Sequence, residues 1–202
     1  MLELGGGFSK RLVSLAKYRR VQATALDFVE RSLAGTRQMA DDNGVTVETV
    51  HTDMFAYHPQ ELFDVVTHWG VLEHFERPEE LLIKSAELLK PGGYVVFGMP
   101  NMEAAGAHWW RKYAPANWAK HIFHSDERVR QACSNAGLEL IQVRHFHLPM
   151  IQVTAWESSG YFPKLLTLAH LGLLAIYHIV PLGHIGIRRL SMERFFAARK
   201  LA

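Results

Sequence analysis

Three glycines, Gly5-Gly6-Gly7, follow directly on the short stretch Leu2-Glu3-Leu4. Glycine in such a place lets the backbone come close to a nucleotide-like ligand, and a helix that follows supplies oriented N–H groups. A plain strand-to-helix turn uses the same residues, so the cluster alone is ambiguous. Asp27 stands just past a second apolar run, Val21 to Leu26. A carboxylate there can accept two hydrogen bonds from ribose hydroxyls, or it can cap the helix that follows. Asp53 stands just past a third run, Val45 to Val50. It therefore lies at the same carboxyl edge of a parallel sheet, where open α/β folds bind ligands. The fourth piece is Phe63-Asp64-Val65-Val66-Thr67-His68-Trp69-Gly70-Val71-Leu72-Glu73-His74, which ends a fourth apolar stretch in titratable groups. Each piece has a bland reading; the ordered set does not.

A parallel sheet with crossover helices would position these groups. Over the first 147 residues short apolar runs alternate with longer amphipathic ones, the pattern of that architecture. Strands are predicted at Leu2–Leu4, Val21–Leu26, Val45–Val50, Phe63–Thr67, Tyr94–Phe97, Leu138–Arg144 and Met192–Arg199. Helices are predicted over Lys10–Tyr18 and Phe28–Asp41, from Pro78 to Leu89, and from Ser125 to about Asn135. Lys90-Pro91-Gly92-Gly93 reads as a sharp stop for the third of these. The chain has 202 residues, 49% apolar and 21% charged, which excludes a disordered tail, a collagen-like repeat and a coiled coil. Its 22 Lys+Arg against 20 Asp+Glu give a net charge of +2, which offers no electrostatic footprint for nucleic acid. A lone cysteine, Cys133, excludes an intrachain disulfide and fits a reducing, cytoplasmic setting. The opening residues carry neither the basic start nor the apolar segment of a signal peptide.

Residues 148–190 break the rhythm, and no formal charge occurs from Leu165 to Ile187. We expect an apolar helical insertion between the sixth and seventh strands of one domain spanning 1–202. Leu165 to Val180 is shorter than the roughly 20 residues that span a bilayer, and Pro181, Gly183 and Gly186 interrupt it. The first expectation is a buried or lid helix. Peripheral membrane contact through 165–187, flanked by Lys164, Arg188 and Arg189, is the second, and association with another copy is a third.

With these residues in place, the sequence resembles the class I S-adenosylmethionine-dependent methyltransferases over most of residues 1–147. Glu3-Leu4-Gly5-Gly6-Gly7-Phe8-Ser9 is similar to their first motif, Ala25-Leu26-Asp27 to the ribose-binding end of their second strand, and Thr52-Asp53-Met54 to their adenine-contacting segment. Trp69-Gly70-Val71-Leu72-Glu73-His74-Phe75 and Leu88-Leu89-Lys90-Pro91-Gly92-Gly93-Tyr94 resemble the fourth-strand exit and the turn before strand five. The resemblance implies a Rossmann-like, doubly wound α/β fold with seven strands in the order 3-2-1-4-5-7-6, strand seven antiparallel. It implies S-adenosyl-L-methionine as cofactor, bound by Glu3, Gly5, Gly6, Gly7, Asp27, Phe28, Asp53, Met54, Trp69 and Gly70. Two features depart from the family pattern. Ser9 stands where its third glycine would be, and the chain starts inside the first strand, where members normally carry helices upstream. A nicotinamide dehydrogenase is disfavoured, because its third glycine would fall at Lys10. A non-catalytic binding or regulatory protein of the same fold, or a truncated inactive fragment, stays open.

Methyl transfer is a direct displacement on a sulfonium methyl, so the protein orients two reactants and excludes water. A base is needed only where the acceptor must lose a proton. His74, at the exit of strand four, and His121, in the loop after strand five, are the candidates. Glu73-His74 also resembles the Glu-Val-Leu-Glu-His run of ubiquinone-pathway O-methyltransferases, which can supply metal ligands. Gly70 replaces the first glutamate of that run, so no metal is expected. Trp109, Trp110 and Trp118 either wall a pocket for a small, hydrophobic or lipid-like acceptor or pack their loop onto the core. Whether oxygen, nitrogen or carbon is methylated stays open.

Overall fold

The computed structural model describes residues 1–146, 160–179 and 186–201. Its strands are β1 (Leu2–Leu4), β2 (Ala23–Asp27), β3 (Val47–His51), β4 (Phe63–Trp69), β5 (Leu89–Pro100), β6 (Leu138–Phe146) and β7 (Glu193–Lys200). Its helices are α1 (Lys10–Arg19), α2 (Glu30–Asp42), α3 (Pro78–Glu87), α4 (Ala107–Tyr113), α5 (Pro115–Trp118), α6 (Asp126–Asn135) and α7 (Tyr161–Ile179). The strands form one sheet in the order β3-β2-β1-β4-β5-β7-β6. β1 to β5 pair in parallel, and β7 runs antiparallel to both β5 and β6. This is the order that the resemblance implies.

A sheet buried on both faces needs apolar cover on each. On one face Ala23, Ala25 and Val47 meet Leu12, Val13 and Ala16 of α1 and Leu33 and Ala40 of α2. On the other, Leu4, Leu26, Val66, Val95, Phe97 and Phe196 meet Leu81 and Leu82 of α3 and Val129, Ala132 and Cys133 of α6. α1 starts at an N-cap, Ser9, whose Oγ accepts from the Leu12 N–H at 3.1 Å. The residue that stands for a third glycine therefore serves as a helix cap. Several buried strand residues break the apolar pattern, Glu3, His68 and Arg194 among them. His68 on β4 is fully buried and stacks on Phe97 at 4.9 Å, with neither ring nitrogen hydrogen-bonded.

Two expectations are corrected. Lys90-Pro91-Gly92-Gly93 does not stop α3, which already ends at Glu87. Leu89 pairs with Phe63 and Tyr94 with Val65, so residues 90–93 form an excursion inside β5, with Gly92 at φ +75. In the strand Leu89 is fully buried, which removes its side chain from water. The second correction concerns α7. Its Leu165, Leu168 and Leu171 are 49%, 65% and 54% exposed. None of the three buried clusters among the described residues includes a residue of α7, although its His170 is only 6% exposed. The contacts of α7 include Phe162 against the rings of Trp109 and Tyr113, at 4.9 and 5.8 Å. Residues 148–159 and 180–185 of the expected insertion lie outside the described residues. Among the described residues no helix is long and apolar enough to cross a membrane.

Candidate cofactor and acceptor site

The glycine loop leaves β1 at Gly5, whose φ of +69 favours glycine and whose added Cβ would lie 3.0 Å from Val71 Cγ2. At Gly7 the neighbour is the protein itself: an added Cβ would sit 2.3 Å from Ser32 Cβ and 2.7 Å from Asp27 Oδ2. The Gly6 N–H donates to the Leu26 carbonyl at 2.9 Å, and the Gly7 N–H donates to Asp27 Oδ2 at 3.0 Å. Glu3 lies beneath this loop, 4% exposed, and accepts from Ser9 Oγ at 2.8 Å. Burial raises its carboxyl to about 7, opposed by the Ser9 hydrogen bond and the Arg11 charge.

A cavity of about 460 Å³ opens at the carboxyl edge of the sheet. Phe28, Met54, Val71 and Phe75 give it apolar walls, Asp27 a carboxylate, and Gly5, Trp69, Gly70 and His74 line it too. Asp27 is not the N-cap of α2, a position that Val29 takes. Its Oδ1 instead accepts from the Val29 N–H at 2.8 Å, so both carboxylate oxygens are held by the backbone and keep capacity for a ligand. Asp53 is placed differently from Asp27. Its Oδ1 accepts from the Phe55 N–H at 2.7 Å, and its neighbours Thr52 and Met54 line the cavity in its stead.

A second cavity of about 290 Å³ shares Trp69 and Gly70 with the first. Arg11, Glu73, His121, Glu193 and Phe195 line it. Arg11 and Glu193 carried no sequence signal, because helix and strand periodicity say nothing about which cavity an end residue meets. Glu73 is 2% exposed, and its Oε2 has no hydrogen-bond partner among the described residues. Burial pushes its carboxyl up to about 7. A larger cavity of about 940 Å³ lies at the opposite edge, beside Met1, Phe63 and Asp64, away from these groups.

His74 and His121 face each other, ring centroids 4.9 Å apart. Their Nδ1 atoms are 2.9 Å from the Lys120 carbonyl and 2.8 Å from the Asn117 carbonyl. Both contacts require Nδ1–H, so Nε2 keeps the lone pair on each ring. Burial lowers the proton affinity of His121, the Asn117 hydrogen bond opposes this, and the His74 charge adds to it. Glu73, His74 and His121 each offer one ligand atom, all within 4.8 Å of one another. That set fits a divalent cation as well as it fits proton transfer, with the backbone carbonyls orienting both imidazoles. The expectation of no metal rested on Gly70; the loop after β5 supplies His121 as a third group. Trp109, Trp110 and Trp118 do not line this cavity. Trp110 is 1% exposed and donates its indole N–H to Asn117 Oδ1 at 2.9 Å, which packs the loop that carries His121.

The family model described as "Methyltransferase domain" matches residues 1–143. The chain belongs to this family. It carries a class I S-adenosylmethionine-dependent methyltransferase domain, with S-adenosylmethionine as cofactor. The ubiquinone biosynthesis O-methyltransferase of Azoarcus sp. strain BH72 is 30% identical over 156 residues, 71% of this chain and 65% of that protein. The chain thus spans less than two thirds of that relative's length. Among solved structures, the [4+2]-cyclase SpnF has a TM-score of 0.66 at 16% identity, covering 100% of this chain and 74% of that one. A SAM-dependent methyltransferase from Archaeoglobus fulgidus has a TM-score of 0.64 at 16% identity, covering 98% and 85%. At these identities the two structures speak to the fold alone.

Proposed function

We propose that this methyltransferase moves the methyl group of S-adenosylmethionine to a hydroxyl oxygen of a small, largely apolar acceptor. The observation that carries the reading is the meeting of the two cavities at Trp69 and Gly70, with His74 lining one and His121 the other. Adenosine fits the first cavity, its ribose toward Asp27 and its adenine among Phe28, Met54 and Phe75. The acceptor reaches the methyl through the second, beside His121 and Phe195, and shares that cavity with the cofactor's amino-acid end. Nε2 of His74 or His121 takes the hydroxyl proton as the oxygen attacks the sulfonium methyl. The carbon–sulfur bond breaks, and its electron pair stays on sulfur as S-adenosylhomocysteine leaves. A divalent cation held by Glu73, His74 and His121 would instead polarise the acceptor hydroxyl and lower its pKa. Incubation with labelled S-adenosylmethionine and a panel of apolar phenols, before and after chelator treatment, tests both. Transfer that survives chelation supports the histidine base. Transfer lost on chelation and restored by added cation supports the metal reading. No transfer to any acceptor, with cofactor bound, favours the non-catalytic alternative.

A second reading concerns where the acceptor is met. α7 leaves Leu165, Leu168 and Leu171 exposed and meets Trp109 and Tyr113 through Phe162, with Lys112 over both of those rings. An apolar helix face with an aromatic and basic border suits a lipid surface, and a lipid-like acceptor would be found there. We therefore propose peripheral membrane contact through α7.

A further inference from the structure

The cofactor's two ends differ in charge, and the two cavities differ in the same way. The adenosine end is uncharged, and its cavity is walled by Phe28, Met54, Val71 and Phe75. The amino-acid end carries an α-carboxylate and an α-ammonium a few bonds beyond the sulfonium. With ribose at Asp27 and the sulfonium near Gly70, which lines both cavities, that end would extend into the second cavity. The lining there is hostile to a carboxylate except at one place. Glu73 and Glu193 contribute acidic groups, whereas Arg11 is the one side chain of fixed positive charge among the described lining residues.

We propose that Arg11 binds the α-carboxylate of S-adenosylmethionine. Its guanidinium carbon lies 4.7 Å from the centroid of the Trp69 ring, and Trp69 lines both cavities. The indole face thus holds the guanidinium beside the passage that the cofactor must use. Among the described residues Arg11 has no ion-pair partner, so its fork of N–H donors is free to meet a carboxylate in bidentate fashion. It sits on the first turn of α1, two residues past Ser9, so the glycine loop and its helix hold the ribose side and the carboxylate side of one ligand.

This inference rests on the cofactor assignment, and the test separates the two. Calorimetric titration compares S-adenosylhomocysteine with 5′-methylthioadenosine, which has the same adenosine and thioether but no amino-acid group. The unmodified protein is expected to bind S-adenosylhomocysteine more tightly. Arg11→Gln is expected to weaken S-adenosylhomocysteine by about tenfold or more while 5′-methylthioadenosine stays within about twofold, and Arg11→Lys to fall between. Arg11 is exposed, so an unchanged unfolding temperature is expected to show that the variants are folded. Equal losses for both ligands, no loss for either, or a rise only in the acceptor's KM would overturn the proposal. Failure of the unmodified protein to bind either ligand would overturn the cofactor assignment itself.

Discussion

Asp27 joins the glycine loop to the ligand cavity through a single carboxylate. Asp27→Ala is expected to remove two ribose hydrogen bonds and cost on the order of 2–3 kcal/mol of S-adenosylhomocysteine affinity, read by calorimetry. Asp53→Ala is expected to matter much less, because that carboxylate bonds Phe55 and lies outside the cavity lining. An equal loss in the two would defeat this assignment. A base must be unprotonated, and burial lowers the proton affinity of His121. If His121 is the base, the rate is held to a pH below the ordinary histidine range and only then falls; His121→Gln lowers turnover on the order of 10²-fold with cofactor affinity kept. A flat rate from pH 5.5 to 8 (with chemistry rate-limiting) would leave orientation alone as the source of catalysis. His68 makes a stability prediction of defined sign. Desolvation takes its pKa from 6.5 to about 3, so below pH 6.5 the unfolded chain takes up a proton that the folded one refuses. Stability is fully present above 6.5 and is lost as pH falls toward 3. His68→Leu is expected to flatten that dependence by on the order of 2–3 kcal/mol between pH 7.5 and 4.5, read from urea midpoints at both values.

At the scale of elements, Ser9 and Arg194 hold neighbours together by polar contacts that no hydropathy pattern reports. Ser9 caps α1, satisfies Glu3, and donates its own N–H to Thr36 Oγ1 of α2 at 3.1 Å. Ser9→Ala is expected to cost about 1–2 kcal/mol in chemical denaturation, since a cap and the partner of a buried carboxyl go together. Ser9→Gly, the family's usual residue, would be milder only if the cap alone mattered. Arg194 of β7 is 1% exposed and reaches Asp126, the first residue of α6, at 2.9 Å and the His124 carbonyl at 2.8 Å. Asp126→Ala leaves that guanidinium buried with its charge uncompensated, and a loss of about 3 kcal/mol is expected in the same assay. A loss below about 0.5 kcal/mol would show that the neighbouring carbonyl and rings suffice. The boundaries of α1, α2, α3 and α6 were legible to within two residues from periodicity, caps and turns. The place of residues 90–93 was not, because Leu89 had to be claimed by β4 before they could be seen as part of β5.

For the whole molecule, α7 is the element whose role depends on surroundings. Buried, Leu168→Glu with Leu171→Glu would destabilise the fold by several kcal/mol. Both leucines are more than half exposed, so the paired variant is expected to unfold at an unchanged denaturant midpoint and to lose co-sedimentation with anionic vesicles. A large loss of stability would place the helix against the protein after all, and unaltered vesicle binding would remove it from the membrane reading.

Sequence alone placed the strands and set the candidate ligand residues at one edge, while the strand order and the cofactor came with the family resemblance. The glycine loop, Asp27 and the exit of β4 recur after successive apolar runs, and strand ends in a parallel sheet must share one edge. Short-range periodicity and turn chemistry carry that information, and neither needs distant contacts. Tertiary structure alone decided which side chains meet there. It brought His121 to His74 across a separation of forty-seven positions in the numbering, set Arg11 over Trp69, tied Asp53 to the Phe55 N–H and left Leu165, Leu168 and Leu171 of α7 exposed. These are outcomes of loop paths and of competition for buried surface. They depend on what the rest of the chain has already filled, and no local pattern records that.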